Sequence, residues 1–262
     1  MKRLSSFSLV VALSLLLASC GHEKTSSGVG DESAESRGED ANFFGGGKMK
    51  DCVNNPKPVF TRNVTRLEDI DYLVEWGNVF GGSLKGHSYL HNRNTGYSGG
   101  KLQGIKRVPV YAPVDSYLIS YAHTRLSSSL MKDEFWLTFQ VSCEVAYKFD
   151  HIDQLAGNVK AKLGATPYKV DDSRTTALRQ PIFVKAGELI GTTQGTPQTG
   201  SWDFGVYNTT RNNRLGESVQ RFKGTGEGEN YRYADCPYDY YKKTKREVYY
   251  AKLRKKTCGP AN

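Results

Sequence analysis

The run Phe135 to Phe149, FWLTFQVSCEVAYKF, constrains the fold more than any other stretch of this chain. Aromatic and β-branched side chains alternate along it with polar ones, the two-residue period of a strand with one face buried. It reads as one long strand or a hairpin. VPVYAPVDSYLISYAH (108–123) repeats the pattern. PIFVKAGELIGTTQG (181–195) reads as a strand, a Lys-Ala-Gly turn and a second strand, and GSWDFGVYN (200–208) as another. Helical signals are short. Residues 61–79 place Leu67, Ile70, Leu73 and Val74 for a short helix or an approach strand before Gly77, and 151–163 set Ile152, Leu155, Val159 and Leu163 at helical spacing. Abundant glycine and tyrosine beside three methionines fit strands and loops better than a bundle. The expected class is mainly β: a small antiparallel barrel or sandwich with a few short helices and a basic C-terminal helix.

The N-terminus reads as an export signal. Lys2 and Arg3 precede an apolar run, LVVALSLLLAS (8–18), too short to span a bilayer. Leu17-Ala18-Ser19-Cys20 resembles a bacterial lipobox, in which the chain is cut before the cysteine and the thiol is diacylated. The expectation is a lipoprotein held to the membrane by palmitate-type chains on Cys20. Gly21 and His22 follow in place of the aspartate of an inner-membrane retention signal, which favours the outer membrane of a Gram-negative cell.

Charge divides the remainder. Between Gly21 and Gly47 six acids face two bases, in a Gly/Ser/Glu-rich stretch. From Lys48 onward 32 bases face 21 acids. The organisation read from this is a signal peptide over 1–19, a flexible acidic tether over 20–47, a β-rich domain over 48–236 and a basic helical extension over 237–262. Outside the cytoplasm a basic domain meets anionic envelope polymers or lipid head groups rather than nucleic acid, and general solubility is the plainer account of the same charge. The tail YDYYKKTKREVYYAKLRKK (238–256) has eight bases, with Tyr241, Val248, Tyr249 and Leu253 roughly on one helical face. The simpler reading packs those tyrosines on the sheet and leaves the lysines in water; the other makes a patch for an anionic surface.

Four cysteines remain in the exported chain, which suggests one or two disulfides among three possible pairings. Cys236 and Cys258 bracket one compact basic segment and are the favoured pair. Cys143 lies in an apolar strand pattern and is expected as a free, buried thiol.

Gly86-His87-Ser88-Tyr89-Leu90-His91, then VPVYAPVDSYLISY, then YKFDHIDQL with His151, then VKAGELIGTTQGT followed by SWDFGVYN, resemble in that order the lysostaphin/LytM-type zinc endopeptidases and their duplicated hybrid motif fold. The resemblance covers about residues 84–208. It implies zinc held by His87, by His91 where the family's HxxxD motif has its aspartate, and by Asp203 at the second histidine of the final HxH. It places His151 at the mid-domain histidine that supports the reaction intermediate. It puts Ser201 where the histidine that activates water would stand. Imidazole nitrogen and carboxylate oxygen both suit zinc, but a hydroxyl is no base at neutral pH. Asp150 is expected to orient His151 or to serve as a turn residue.

The expectation that follows is a metallopeptidase-like domain that has lost hydrolysis and binds peptidoglycan or another envelope component. An active zinc endopeptidase is the alternative, and a scaffold acting through its basic tail is the second.

Overall fold

The structure is a computed structural model that describes residues 51–80, 83–99, 101–127, 132–215 and 232–259. The stretches expected as signal peptide (1–19) and tether (20–47), with the lipidation candidate Cys20, lie outside these residues.

The strands run in chain order β1 (Ile70–Val74), β2 (Asn78–Phe80), β3 (Ser83–Lys85), β4 (Ser88–Asn92), β5 (Gly96–Ser98), β6 (Lys101–Gln103), β7 (Val108–Tyr111), β8 (Ser116–Leu126), β9 (Lys132–Gln140), β10 (Val145–Ile152), β11 (Gln154–Leu155), β12 (Lys169–Val170), β13 (Thr176–Val184), β14 (Leu189–Thr193), β15 (Ser201–Asn208) and β16 (Ala234–Asp235). Among the described residues, two α-helices join them: α1 (Gly157–Leu163) and α2 (Lys243–Lys252). The protein is mainly β, as the alternation predicts. Nine strands form one open sheet whose path runs β1-β4-β15-β10-β9-β8-β12, with β13 on β8 and β16 on β15. β11, β14 and β7 make a second, three-stranded sheet. Apart from the parallel β12–β8 pair, the ladders between these strands are antiparallel.

Alternation sorts the central strands into two faces. Leu137, Phe139, Tyr147, Phe149, Trp202, Phe204 and Leu90 point to the core and are fully buried. Phe139 stacks on Tyr147 at 4.8 Å, and Phe149 meets Trp202 edge-on at 5.8 Å. The core is rich in tyrosine, and its hydroxyls are partnered, as buried polar tips require. Tyr147 shares a hydrogen bond with Ser116 Oγ at 2.8 Å, and Tyr238 with Ser88 Oγ at 2.6 Å.

α2 delivers Tyr249 into this core, where it stacks on Tyr238 and Tyr241. The tyrosines pack and the lysines face water, the simpler of the two expectations. Val248 is the exception to the expected face, since it lies about half exposed.

Two expectations need correction. Cys143 is not a free thiol: it sits in the turn after β9 and is disulfide-bonded to Cys52. The second disulfide is the favoured pair, Cys236–Cys258. The helix expected from residue 151 starts only at Gly157. Ile152 ends β10, and Gln154–Leu155 pair with β14, so strand pairing takes residues whose spacing alone is helical. Gly191 makes that pairing feasible, because a Cβ there would stand 2.3 Å from the Gln154 carbonyl oxygen.

Candidate functional site

The second face of the large sheet is polar at its centre. Asp203 on β15 lies directly opposite Tyr89 of β4 on one side and Asp150 of β10 on the other. Opposed residues of an antiparallel pair share a face, so two buried carboxylates look at each other across neighbouring strands. His87, at the entry to β4, brings its Nε2 to 3.1 Å from Asp203 Oδ2. Gly205 makes room for it, since a Cβ at that position would lie 3.2 Å from His87 Cβ. Lys148 reaches Asp150 Oδ2 at 3.0 Å, with its ammonium 4.6 Å above the Trp136 ring.

His151 reaches the same face by breaking the strand. It follows Asp150 directly, so regular alternation would send it into the core. Instead its φ is +63°, and the β10–β9 register shifts between Phe149 and Ile152. This is a bulge with a non-glycine residue in a left-handed conformation, strain of the kind that gathers at functional sites. The Thr193 hydroxyl donates to the His151 carbonyl and helps hold the turn. The ring then bridges two acids: Nδ1 is 2.6 Å from Glu134 Oε2, and Nε2 is 3.6 Å from Asp203 Oδ2.

Burial sets the protonation of this group. It pushes His87 well below the ordinary imidazole value, and the charges of Lys148 and His151 push the same way. Burial also raises Asp203, with Asp150 adding to the rise and the His151 and Lys148 cations opposing it. His151 goes the other way: burial alone would lower it, but Asp203 and Glu134 outweigh that and raise it to about 9. Metal-free at neutral pH, His87 is therefore neutral and His151 an imidazolium. A pKa raised above its unfolded value of about 6.5 stabilises fully below 6.5, and that stability is lost as pH climbs through 9. In chelator, urea denaturation at stepped pH is expected to show a loss on the order of 3 kcal/mol between pH 6.5 and 9.5. The slope should be shallower in Glu134→Gln.

Three ligand-capable residues, His87, Asp150 and Asp203, each bring one donor atom within 4.8 Å of the others. His87 Nε2, Asp150 Oδ1 and Asp203 Oδ1 are buried without a hydrogen-bond partner. The His87–Asp203 approach is close enough for an ion pair but not aligned as a hydrogen bond. A His/Asp/Asp set with unsatisfied donors fits a divalent metal. A metal there would supply Lewis-acid polarisation of a bound carbonyl.

The structure thus joins His87, Asp203 and His151 and separates His91 and Ser201 from them. These two face each other two residues further along β4 and β15. The His91 ring stacks on Tyr72 at 4.2 Å, and its Nδ1 lies 3.2 Å from the Thr199 carbonyl. Ser201 Oγ pairs with Thr199 Oγ1 at 2.6 Å. Both residues line a cavity of about 380 Å³ with Tyr72, Tyr89, Thr199 and Arg254. Tyr89 connects the cavity to the cluster, its ring edge-on to His87 at 4.9 Å. Asp150 is not the partner that orients His151; Glu134 is. Glu134 and Lys148 escape sequence reasoning altogether. The one available signal is a fully buried acid at an alternate position of an aromatic strand, and only strand register gives it meaning.

No family model matches the chain, and no curated protein matches it. Two solved structures of Helicobacter pylori Csd3, from hexagonal and orthorhombic crystals, are similar at a TM-score of 0.35 with 11% and 12% identity. The similarity covers 59% of this chain, which spans about a third of the length of Csd3, 31% and 33%.

Proposed function

We propose that this chain is a lipid-anchored envelope protein whose β-sheet domain binds a cell-envelope component, peptidoglycan or a protein partner, without cleaving it. The supporting observation is the placement of His91 and Ser201. By the family resemblance these are the positions of a metal ligand and a water-activating base. Here they line a cavity with Tyr72, Tyr89 and Arg254, and His91 is committed to Tyr72 and Thr199. Aromatic faces, hydroxyls and one guanidinium suit a glycan or peptide carrying a carboxylate. At the position of the water-activating base these cavity residues have Ser201, an alcohol and no base at neutral pH. Anchorage through Cys20 would keep the domain at the membrane, with the outer membrane favoured by Gly21-His22.

The test is co-sedimentation of the full chain, in detergent, with insoluble peptidoglycan, together with an assay for released soluble fragments. Binding without release is expected, with at least a tenfold loss of affinity in Arg254→Ala combined with Tyr72→Ala. Binding that survives this change but fails when Lys242, Lys243, Lys245 and Arg246 are neutralised would transfer the activity to the basic tail. Release of fragments would support a second reading, active zinc hydrolysis. The position of His151 favours it, because that imidazole stands beside the candidate metal donors under the grip of Glu134.

A further inference from the structure

We propose that His87, Asp150 and Asp203 form a zinc-type divalent cation site in which Asp150, not His91, is the third ligand, and Lys148 is a tethered cation that competes with the metal. The inference stands apart from the binding reading above, since the cluster and the cavity use different side chains.

Asp150 and Asp203 are an opposed pair on β10 and β15, both almost completely buried. Two carboxylates in that position repel, and a buried pair persists only where cations face it. The residues present supply some of that charge, but incompletely. Lys148 takes one oxygen of Asp150, and the two histidines approach one oxygen of Asp203. The remaining oxygen of each acid is buried with no hydrogen-bond partner, and so is His87 Nε2. These three residues bring ligand atoms within 4.8 Å of one another, and each has a buried polar atom without a hydrogen-bond partner, the condition a cation would relieve.

Donor chemistry selects the ion. The set has one imidazole nitrogen and two carboxylates. Calcium requires six to eight oxygen ligands and magnesium keeps an octahedral shell, whereas zinc accepts three protein ligands of this mixed kind and one open position. Ligand atoms on a tetrahedral zinc stand roughly 3.4 Å apart. The donors here lie within 4.8 Å and carry side-chain freedom to close. His91 is turned to Tyr72 and Thr199 and lies outside the group.

Lys148 gives the site its particular character. It is on the same face as Asp150, opposite Gly205, and its stem is partly exposed over Trp136. Its ammonium neutralises Asp150 when no metal is bound and must leave when one arrives. Affinity for the ion is then lowered by the competing lysine.

The experiment uses the full chain in detergent, stripped with chelator, and titrates zinc against a chromophoric chelator, with thermal unfolding as the check on folding. One zinc per chain is expected. Asp150→Asn should weaken binding at least about a hundredfold, His91→Ala less than about threefold, and Lys148→Met should tighten it about tenfold. Magnesium and calcium at the same concentrations should not compete. The proposal is overturned if neither the wild type nor Lys148→Met binds zinc, or if Asp150→Asn folds and keeps full affinity. It is equally overturned if His91→Ala abolishes binding.

Discussion

Replacing Cys52 and Cys143 together by alanine is expected to destabilise the domain by about 4 kcal/mol and to lower Tm by about 8–16 °C. The two residues are 91 apart in sequence, so the bridge closes a long loop. In the chain-entropy picture a loop of that length removes about 4.6 kcal/mol of freedom from the unfolded state, against about 3.4 kcal/mol for Cys236–Cys258 with its separation of 22. The bridge also docks an N-terminal strap. Cys143 N donates to the Val53 carbonyl at 3.1 Å, Asn55 N to Glu144 at 2.8 Å, and Asn208 Nδ2 to the Pro56 carbonyl at 2.8 Å. Each contact is a neutral or partly exposed hydrogen bond contributing about 1 kcal/mol, too little to hold the strap alone. Urea unfolding of the double variant, read beside the Cys236→Ala/Cys258→Ala variant, checks the order of the two effects. A loss under 1 kcal/mol for the longer loop would show that the strap stays docked without its bridge.

What could be read in advance follows from what each signal depends on. β8, β9, β10 and β15 alternate so strongly that their existence needs no knowledge of neighbours, and all four are present where the pattern puts them. The stretch 151–163 fails for the opposite reason. Its i, i+3, i+4 spacing is real, but Ile152, Gln154 and Leu155 have strand partners in β9 and β14 that local periodicity cannot see. Cys143 was hidden in the same way, since an apolar run gives no hint of the turn that exposes it to Cys52. The site divides along this line too. His87, His151 and Asp203 are visible through motif order. Asp150, Glu134 and Lys148 acquire roles only when β9, β10 and β15 lie side by side and a bulge turns His151 about. His91 kept its place in the motif but turned to an aromatic neighbour from β1, a contact that motif spacing does not encode.

Trp202→Ala is expected to cost about 4 kcal/mol or more, as large-to-small changes of fully buried aromatics do. The side chain is fully buried between β4 and β10, beneath the polar face that its neighbours Ser201 and Asp203 build. Its indole Nε1 donates to Asn92 Oδ1 at 3.0 Å, and Asn92 spends its own Nδ2 on the carbonyls of Lys106 and Thr193, both at 3.1 Å. Truncation therefore opens a cavity against Phe149 and also strands a buried amide oxygen, which adds about 1–2 kcal/mol. Trp202→Phe separates the two contributions. It keeps most of the volume, loses only the hydrogen bond, and should cost about 1–2 kcal/mol. Hydrogen exchange then connects stability to the site. Trp202 pairs with Leu90 across the β15–β4 ladder, in the rung between Ser201–His91 and Asp203–Tyr89. In Trp202→Ala the backbone amides of that ladder should exchange faster than those of the β8–β9 hairpin, because the cavity lies beneath β15. Equal acceleration in both would mean that the domain opens as one cooperative unit, and that the polar face cannot loosen without unfolding the whole.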